Sequence, residues 1–252
     1  MYAERPSRIP GAVVWTRPAG RDTVRVLPDG CMDLIWGSDG RAFVAGPDTH
    51  AHLYEPRGEV ALTGIRFPPG LGPSVLGVPA SEVRNQRVWL DEVWRPAEVR
   101  PLVDRVLAAP EPATALEGLA ISRLQADPPR DRARLGEVVR LLRAGWRVAD
   151  IAFAVNLSER QLHRRSVDAF GYGPKTLARI LRLTGAIHAA SGGSPLADVA
   201  ARSGYADQAH LARDVRALAG VPLTTLIAPP TGPVTAPAPD VRFVQDGEAL
   251  AG

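Results

Sequence analysis

Apolar residues alternate with polar ones along the first quarter of the chain, in short runs separated by turn-forming residues. Such runs lie at residues 12–16, 23–27, 32–36, 42–45 and 60–67. A period of two is typical of β-strands. Connections such as Pro28-Asp29-Gly30 and Ser38-Asp39-Gly40 are short enough to join antiparallel neighbours. The pattern predicts a small antiparallel barrel or sandwich.

Beyond residue 67 the pattern changes from strands to helices. Pro68-Pro69-Gly70 precedes short helical pieces at about 81–94, 96–108 and 114–126. The Pro128-Pro129 pair indicates a domain boundary, and the tail rich in Pro, Thr, Ala and Gly lacks the apolar residues needed to order itself. We therefore predict a β-rich domain with a helical extension at 1–128, a helical domain at 129–228 and a disordered tail at 229–252.

From residue 135 onwards apolar residues recur every three or four positions, which predicts amphipathic helices. One short helix at 148–154 and a second, capped by Ser158 and running to about residue 169, flank a turn at Asn156. A longer helix begins at Pro174 and ends before Gly192-Gly193. The pattern then repeats, with a turn at Gly204 and a cap at Asp207. These features predict two helix-turn-helix units.

The net charge of +3 is unevenly distributed. Residues 1–129 hold 14 Arg and 16 acidic residues, and the tail has a net charge of −2. Residues 130–228 hold 15 Lys plus Arg against 8 acidic residues, a net charge of +7. A positive charge concentrated in about a hundred residues is typical of a module that binds a polyanion.

The second helix of each unit has a polar or basic outward face. If Leu162 and Leu211 point inward, a rotation of about 100° per residue turns the surrounding polar side chains outward. Arginine can bind the guanine edge and glutamine the adenine edge. The candidate base-reading residues are Arg160, Gln161, His163, Arg164, Gln208, His210 and Arg213.

A second set of residues is better placed for the DNA backbone, because phosphate is recognised by caps and isolated cations. The candidates are Ser158, Lys175, Arg179 and Arg216. An ordinary solvated helix face is the alternative interpretation, but such a face would mix acids evenly with bases. The predicted helix between the units would be about 25 Å long, a length that favours two readers in successive major grooves.

Residues 131–228 resemble the tandem helix-turn-helix domain of AraC-type transcriptional regulators. The matching stretches include Leu157-Ser158-Glu159-Arg160-Gln161-Leu162, Phe170-Gly171-Tyr172-Gly173-Pro174 and Ser203-Gly204-Tyr205-Ala206-Asp207-Gln208. The resemblance implies that Arg160, His163 and Arg164 of the first unit and Gln208 and Arg213 of the second contact the groove. The sequence departs from the family at Ser166 and Val215, inward positions where the family usually has phenylalanine.

The amino-terminal half resembles a cupin-like domain of uncharacterised role that is often fused to AraC-type readers. The matching stretches are Leu27-Pro28-Asp29-Gly30-Cys31-Met32-Asp33-Leu34, Ala45-Gly46-Pro47 and Gly64-Ile65-Arg66-Phe67-Pro68-Pro69-Gly70. The resemblance implies binding of an effector that it does not name. From the residues alone, Trp15, Asp33, Trp36 and Arg66 are candidates to line a barrel interior.

Two readings from other classes remain open. His50, His52 and Glu55 lie close enough in sequence to suggest a metal-dependent enzyme of the cupin kind with a helical accessory domain. Cys31, the single cysteine, could be a redox sensor or an alkyl acceptor. No hydrolase elbow, phosphate-binding loop or paired cysteine motif is present, so we predict no catalytic residue, metal or cofactor.

The sequence thus predicts an α+β protein with two domains. The first is a small antiparallel cupin-like β-barrel with flanking helices, and the second an all-α tandem helix-turn-helix. The expected function is that of a cytoplasmic DNA-binding transcriptional regulator modulated by a small-molecule effector. Double-stranded DNA is the principal partner, RNA polymerase and a second copy of the chain are further candidates, and no membrane segment is expected.

Overall fold

The computed structural model describes residues 2–56, 59–125 and 129–228. Its amino-terminal half contains an antiparallel sheet of six strands in the order β1-β2-β7-β4-β5-β8 and a separate β3-β6 ribbon. The strands are β1 (Ala3–Pro6), β2 (Val13–Arg17), β3 (Val24–Val26), β4 (Met32–Gly37), β5 (Ala42–Ala45), β6 (His52–Tyr54), β7 (Leu62–Phe67) and β8 (Arg87–Trp89). Four helices flank them: α1 (Gly72–Leu76), α2 (Leu90–Val93), α3 (Pro96–Ala108) and α4 (Pro112–Gln125).

The sheet has an apolar cluster on each face because successive side chains of a strand point to opposite sides. On one face, Leu34, Trp36 and Ile65 pack with residues of the four helices in the main core. On the other face, a smaller cluster contains Trp15 and Ile35 together with partly buried Tyr54 of β6.

The predicted class, a small antiparallel β domain with flanking helices, is confirmed. The six main strands pair in an open order beside the separate two-stranded ribbon. Strands β1, β6 and β8 were not predicted, since each has only three or four residues and β1 is exposed throughout. The helix predicted at about 81–94 is wrong over residues 81–89, because residues 81–86 form turns and residues 87–89 pair with β5 at the sheet edge; only α2, at Leu90–Val93, is helical.

The helical half follows the prediction closely. Its helices are α5 (Pro129–Arg143), α6 (Val148–Ala154), α7 (Glu159–Phe170), α8 (Pro174–Ser191), α9 (Leu196–Arg202), α10 (Gln208–Ala219) and α11 (Leu223–Ile227). The predicted boundary at 128–129 is only partly described, and the predicted tail lies outside the described residues. In the described part of the chain, no helix is both long enough and apolar enough to cross a membrane.

Helix α8 supplies core residues to both helix-turn-helix units. Leu177 and Ile180, in its first half, pack with the residues of α5, α6 and α7. Leu183 and Ile187, in its second half, pack with the residues of α9, α10 and α11. The two units are thus joined by continuous helix rather than by a loop.

Glu117 of α4 binds the segment that follows β1 through three hydrogen bonds. Its carboxylate accepts hydrogen bonds from Ser7 Oγ (2.6 Å), from the backbone N of Arg8 (2.7 Å) and from Arg8 Nε (3.0 Å). Burial opposes ionisation, but these hydrogen bonds outweigh it and lower the pKa of Glu117 to about 2. The ionised carboxylate therefore stabilises the fold.

Replacing Glu117 by Gln should lower the free energy of unfolding at pH 7 by roughly 1.5–3 kcal/mol, the range for hydrogen bonds to a charged group. Because the folded pKa is depressed from its usual 4.5, this contribution is complete above pH 4.5 and is lost as the pH falls towards 2. Urea unfolding of both proteins across that range tests the prediction. A stability difference that does not change with pH would contradict it.

Candidate nucleic-acid interface

The first helix-turn-helix unit is built from α6 and α7, joined by a turn with two local restraints. Asn156 has a φ of 56°, which fits the predicted left-handed turn residue. Ser158 caps α7: its Oγ accepts a hydrogen bond from Gln161 N (3.2 Å), and Gln161 Oε1 accepts one from Ser158 N (2.9 Å). This reciprocal capping box fixes the direction in which α7 leaves the turn.

The second unit, α9 and α10, repeats the arrangement. Gly204 has a φ of 72° at the turn, and the next amide, of Tyr205, donates to the carbonyl of Ala200 at 2.9 Å. Asp207 caps α10 by accepting a hydrogen bond from the backbone N of His210 at 2.6 Å. The predicted caps and turn residues of both units are therefore present.

The two capped helices expose their polar faces. Leu162 and Leu211, the predicted inward residues, are each 1% exposed. The predicted DNA-contacting residues of these helices that are exposed are Arg160, Gln161, His163 and Arg164 of α7 and Gln208, Arg213 and Arg216 of α10. Within the described residues, no ion pair involves any of these arginines. Their guanidinium groups are thus available to an external anion or base.

Two of the predicted base-reading side chains also make contacts inside their own unit. The Gln161 carboxamide oxygen is engaged in the capping box with Ser158. The His210 ring is only partly exposed, lies edge-on to Tyr205 at 5.2 Å, and its Nδ1 accepts a hydrogen bond from Ala206 N at 3.4 Å. Both side chains therefore help to order the start of a helix.

Among the predicted phosphate contacts, Ser158, Lys175 and Arg216 are exposed, whereas Arg179 has an internal partner. Arg179 Nε lies 2.5 Å from Asp214 Oδ1, and Asp214 is 7% exposed. Asp214 also accepts a hydrogen bond from the Tyr205 hydroxyl at 3.0 Å. Burial and the nearby Asp214 raise the pKa of Tyr205 to about 12, so the phenol keeps the proton it donates.

This Asp214 network joins α8 to α10 and was missed by the sequence analysis. Arg182 of α8 completes it, with Nη2 3.7 Å from Asp214 Oδ2 and its guanidinium 4.4 Å from the centre of the Tyr205 ring. A signal was available, because Asp214 follows the inward Leu211 by three positions and must share its buried face. A buried acid among arginines indicates an internal ion pair.

The predicted effector residues do not form one group. Trp15 Nε1 donates to Asp33 Oδ1 at 2.7 Å, and Arg66 Nε lies 3.5 Å from the same oxygen. Trp36 lies on the opposite face of the sheet, in the main core. The physical reason is the strand period, since Asp33 and Trp36 of β4 are three residues apart and so point to opposite sides.

A large cleft lies between the two halves of the chain. Its volume is about 1220 Å³, and the amino-terminal half contributes residues such as Asp29, Cys31 and Pro69. The helical half contributes a series of cations to the lining: Arg143, Arg147, Lys175, Arg179, Arg182 and Arg202. Arg179 and Arg182 are paired with Asp214, and Arg202 is paired with Asp198, whereas Arg147 and Lys175 have no ion pair within the described residues.

Two alternative interpretations are a sensor or alkyl acceptor at Cys31 and a metal site at His50, His52 and Glu55. Cys31 is 4% exposed, and burial together with the charge of Asp29 raises the pKa of its thiol, which disfavours the reactive thiolate. Within the described residues, His50, His52 and Glu55 do not join a group of three or more side chains able to hold a metal ion.

Two family models match separate segments of the chain. Residues 151–228 match the family described as "Helix-turn-helix domain", of the AraC type, and residues 12–89 match "Domain of unknown function (DUF6597)". No curated protein matches the sequence.

Distant similarity to solved structures extends over most of the chain. ToxT from Vibrio cholerae is 12% identical, with 86% of this chain and 98% of that chain covered and a TM-score of 0.44. A structure of wild-type ToxT from the same organism with bound unsaturated fatty acid is 12% identical, with 86% and 94% covered and a TM-score of 0.42. Identity and TM-score are both low.

A double-mutant cycle on Arg179 and Asp214 should show that this pair stabilises the second unit. We expect Arg179→Ala and Asp214→Ala to be coupled by about 1–3 kcal/mol in the free energy of unfolding, as for contacting charged residues that share a network. Thermal or denaturant unfolding measures the coupling. The exposed pair Arg140 and Glu137 is the control, and coupling no larger than in that pair would contradict the prediction.

Proposed function

We propose that this chain, which carries an AraC-type helix-turn-helix domain behind a domain of unknown function, is a sequence-specific DNA-binding transcriptional regulator. One observation carries the proposal: α7 and α10 each begin at a side-chain N-cap, expose arginine-bearing faces and pack against opposite halves of one helix. Two similar exposed helices at a fixed separation match the repeated major groove of a DNA duplex.

In this proposal each exposed helix reads one stretch of major groove. Arg160, His163 and Arg164 of α7 and Gln208 and Arg213 of α10 face the base edges. Arginine binds guanine through two parallel hydrogen bonds, and glutamine binds adenine in the same way. Ser158, Lys175 and Arg216 contact phosphates and fix the register without reading sequence. Arg179 is assigned to positioning, because its guanidinium is paired with Asp214.

The separation of the two readers follows from α8. Its 18 residues make a helix about 27 Å long, comparable with the 34–36 Å repeat of B-DNA. Each end of α8 lies in the core of a different unit, so the readers cannot move apart without opening one core. A single chain would thereby recognise two half-sites about one helical turn apart on the same face of the duplex.

We further propose that a small molecule modulates DNA binding from the cleft between the halves. A ligand seated there would touch the β domain and α8 together, and its basic lining favours a carboxylate or phosphate group. Such an effector can change DNA affinity only as far as it binds the two arrangements of the domains unequally, and DNA must change its affinity by the same factor.

We propose that the protein acts in the cytoplasm and has no catalytic activity. RNA polymerase and a second copy of the chain are further proposed partners, as expected for a protein that regulates transcription at a promoter. Support for the non-enzymatic reading comes from the exposed polar faces of α7 and α10 and from the buried, protonated state of Cys31.

Removing one reading arginine should weaken specific binding more than general binding. On a genomic fragment that the purified protein enriches, Arg164→Ala and Arg213→Ala should each cost about 1–3 kcal/mol in binding free energy and relax base preference. Lys175→Ala should instead weaken binding to every sequence alike and reduce the salt dependence. Affinity titrations across a salt series, with scrambled DNA alongside, measure both effects.

Arg100→Ala is the matched control, because Arg100 is exposed on α3 in the amino-terminal half. It should leave all affinities unchanged. If the Arg164 and Arg213 variants lose the same affinity for scrambled DNA as for the enriched fragment, these residues do not read bases. A wild-type protein that binds both DNAs equally at every salt concentration would overturn the proposed function itself.

A further inference from the structure

The loop between β3 and β4 places a residue of the amino-terminal half in the core of the second helix-turn-helix unit. Leu27 is 4% exposed and belongs to the apolar cluster that contains Leu183, Ile187 and Leu218. Apart from partly buried Ala51, which lies against the same cluster, the other members come from the helical half. The second unit therefore completes its core with a side chain from another domain.

Two hydrogen bonds hold the end of α10 beside Leu27. Arg25 Nη1 donates to the carbonyl of Ala219 at 2.9 Å, and the backbone N of Ala51 donates to the carbonyl of Leu218 at 2.6 Å. The last carbonyls of a helix have no partner within the helix. Donors from the amino-terminal half satisfy them here, which fixes the carboxyl end of α10 against the β3-β6 ribbon.

The same loop also touches the first unit. Gly30 approaches α8 so closely that a Cβ atom added to it would lie 3.0 Å from Leu177 Cδ1. Leu177 is part of the core of the first unit. Leu27 thus contacts the second unit, and Gly30, three positions later in the same loop, contacts the first.

The carboxyl end of α7 is held in a corresponding way. The backbone N of Ala80 donates to the carbonyl of Asp168 at 2.8 Å, and Arg84 Nη1 donates to the carbonyl of Gly171 at 3.1 Å. The amino-terminal half therefore donates hydrogen bonds to the carboxyl ends of both α7 and α10. Its contacts leave the outward faces of both helices uncovered.

We infer that Leu27 is a positioning residue that, together with α8, fixes the separation and relative orientation of α7 and α10, and hence the half-site spacing that the whole chain prefers. The inference rests on the proposed function, because spacing has meaning only for two readers. Without the Leu27 side chain the core of the second unit has a gap that neighbouring side chains can relax into. That gap loosens the packing of α8 in the second core, so the second unit can shift despite the remaining Arg25 and Ala51 hydrogen bonds and tolerates more than one spacing.

The test compares the spacing profiles of the full-length wild type and Leu27→Ala. Duplexes carry the two selected half-sites with zero, one or two base pairs inserted between them. We expect wild type to lose roughly tenfold or more in affinity with one inserted base pair, and L27A to lose less than about threefold. Leu27→Met, which nearly conserves volume, should restore the wild-type profile.

Leu53→Ala is the matched control. Leu53 lies on β6 opposite Arg25 of β3, in the same ribbon, but is 47% exposed and absent from the core cluster. It should keep the wild-type profile. Circular dichroism establishes that each variant is folded at the assay temperature, and affinity for a single half-site should be unchanged in L27A.

The outcomes separate the inference from the proposed function. A folded L27A with the wild-type spacing profile overturns the inference and leaves the proposed function intact. A wild-type protein without preference for any spacing overturns the proposed function and the inference with it. Should L27A fail to fold, Leu27→Val takes its place, since it is a smaller truncation of the same side chain, and a wild-type spacing profile for that variant overturns the inference.

Discussion

The burial of α8 on both sides is the constraint on which the rest of the helical half depends. An isolated helix of 18 residues gains little stability by itself, and this one is held by the two apolar cores that it joins. Leu177 and Ile180 cannot leave the first core, and Leu183 and Ile187 cannot leave the second, without exposing apolar surface to water. The separation of α7 and α10 is thereby a property of the packed core.

Packing against the amino-terminal half adds a second constraint of a different kind. Its contacts include Leu27 in the second core, the close approaches of Gly30 to Leu177 and of Gly70 to Phe170, and four hydrogen bonds to helix ends. The cleft lies beside the same loop, with Asp29 and Cys31 in its lining.

Local sequence patterns predicted the helical half well, because its determinants are close together along the chain. Ser158 and Asp207 cap their helices by accepting a hydrogen bond from the backbone N three positions further on. Asn156 and Gly204 adopt the positive φ that their turns require. The inward and outward faces of α7 and α10 followed from the helical period.

Features that depend on distant residues were harder to predict. No pattern around Leu27 indicates that its partners lie more than 150 residues further on, and nothing near Arg179 shows that its carboxylate partner is on another helix. Strand β1 is exposed and polar and forms only because β2 offers it an edge. The grouping of Trp36 with Trp15 failed for a simpler reason, since the period of two within β4 already placed Trp36 on the other face from Asp33.

Selection of binding sites from random-sequence DNA by the purified full-length protein tests the central claim most directly, because it assumes neither an operator nor an effector. The account predicts enrichment of a bipartite site, with two short blocks of preferred bases centred about 10 base pairs apart, one turn of B-DNA. A single block, or blocks at variable separation, would contradict two readers held at a fixed distance by α8. Absence of any enrichment would contradict the assignment of α7 and α10 as readers.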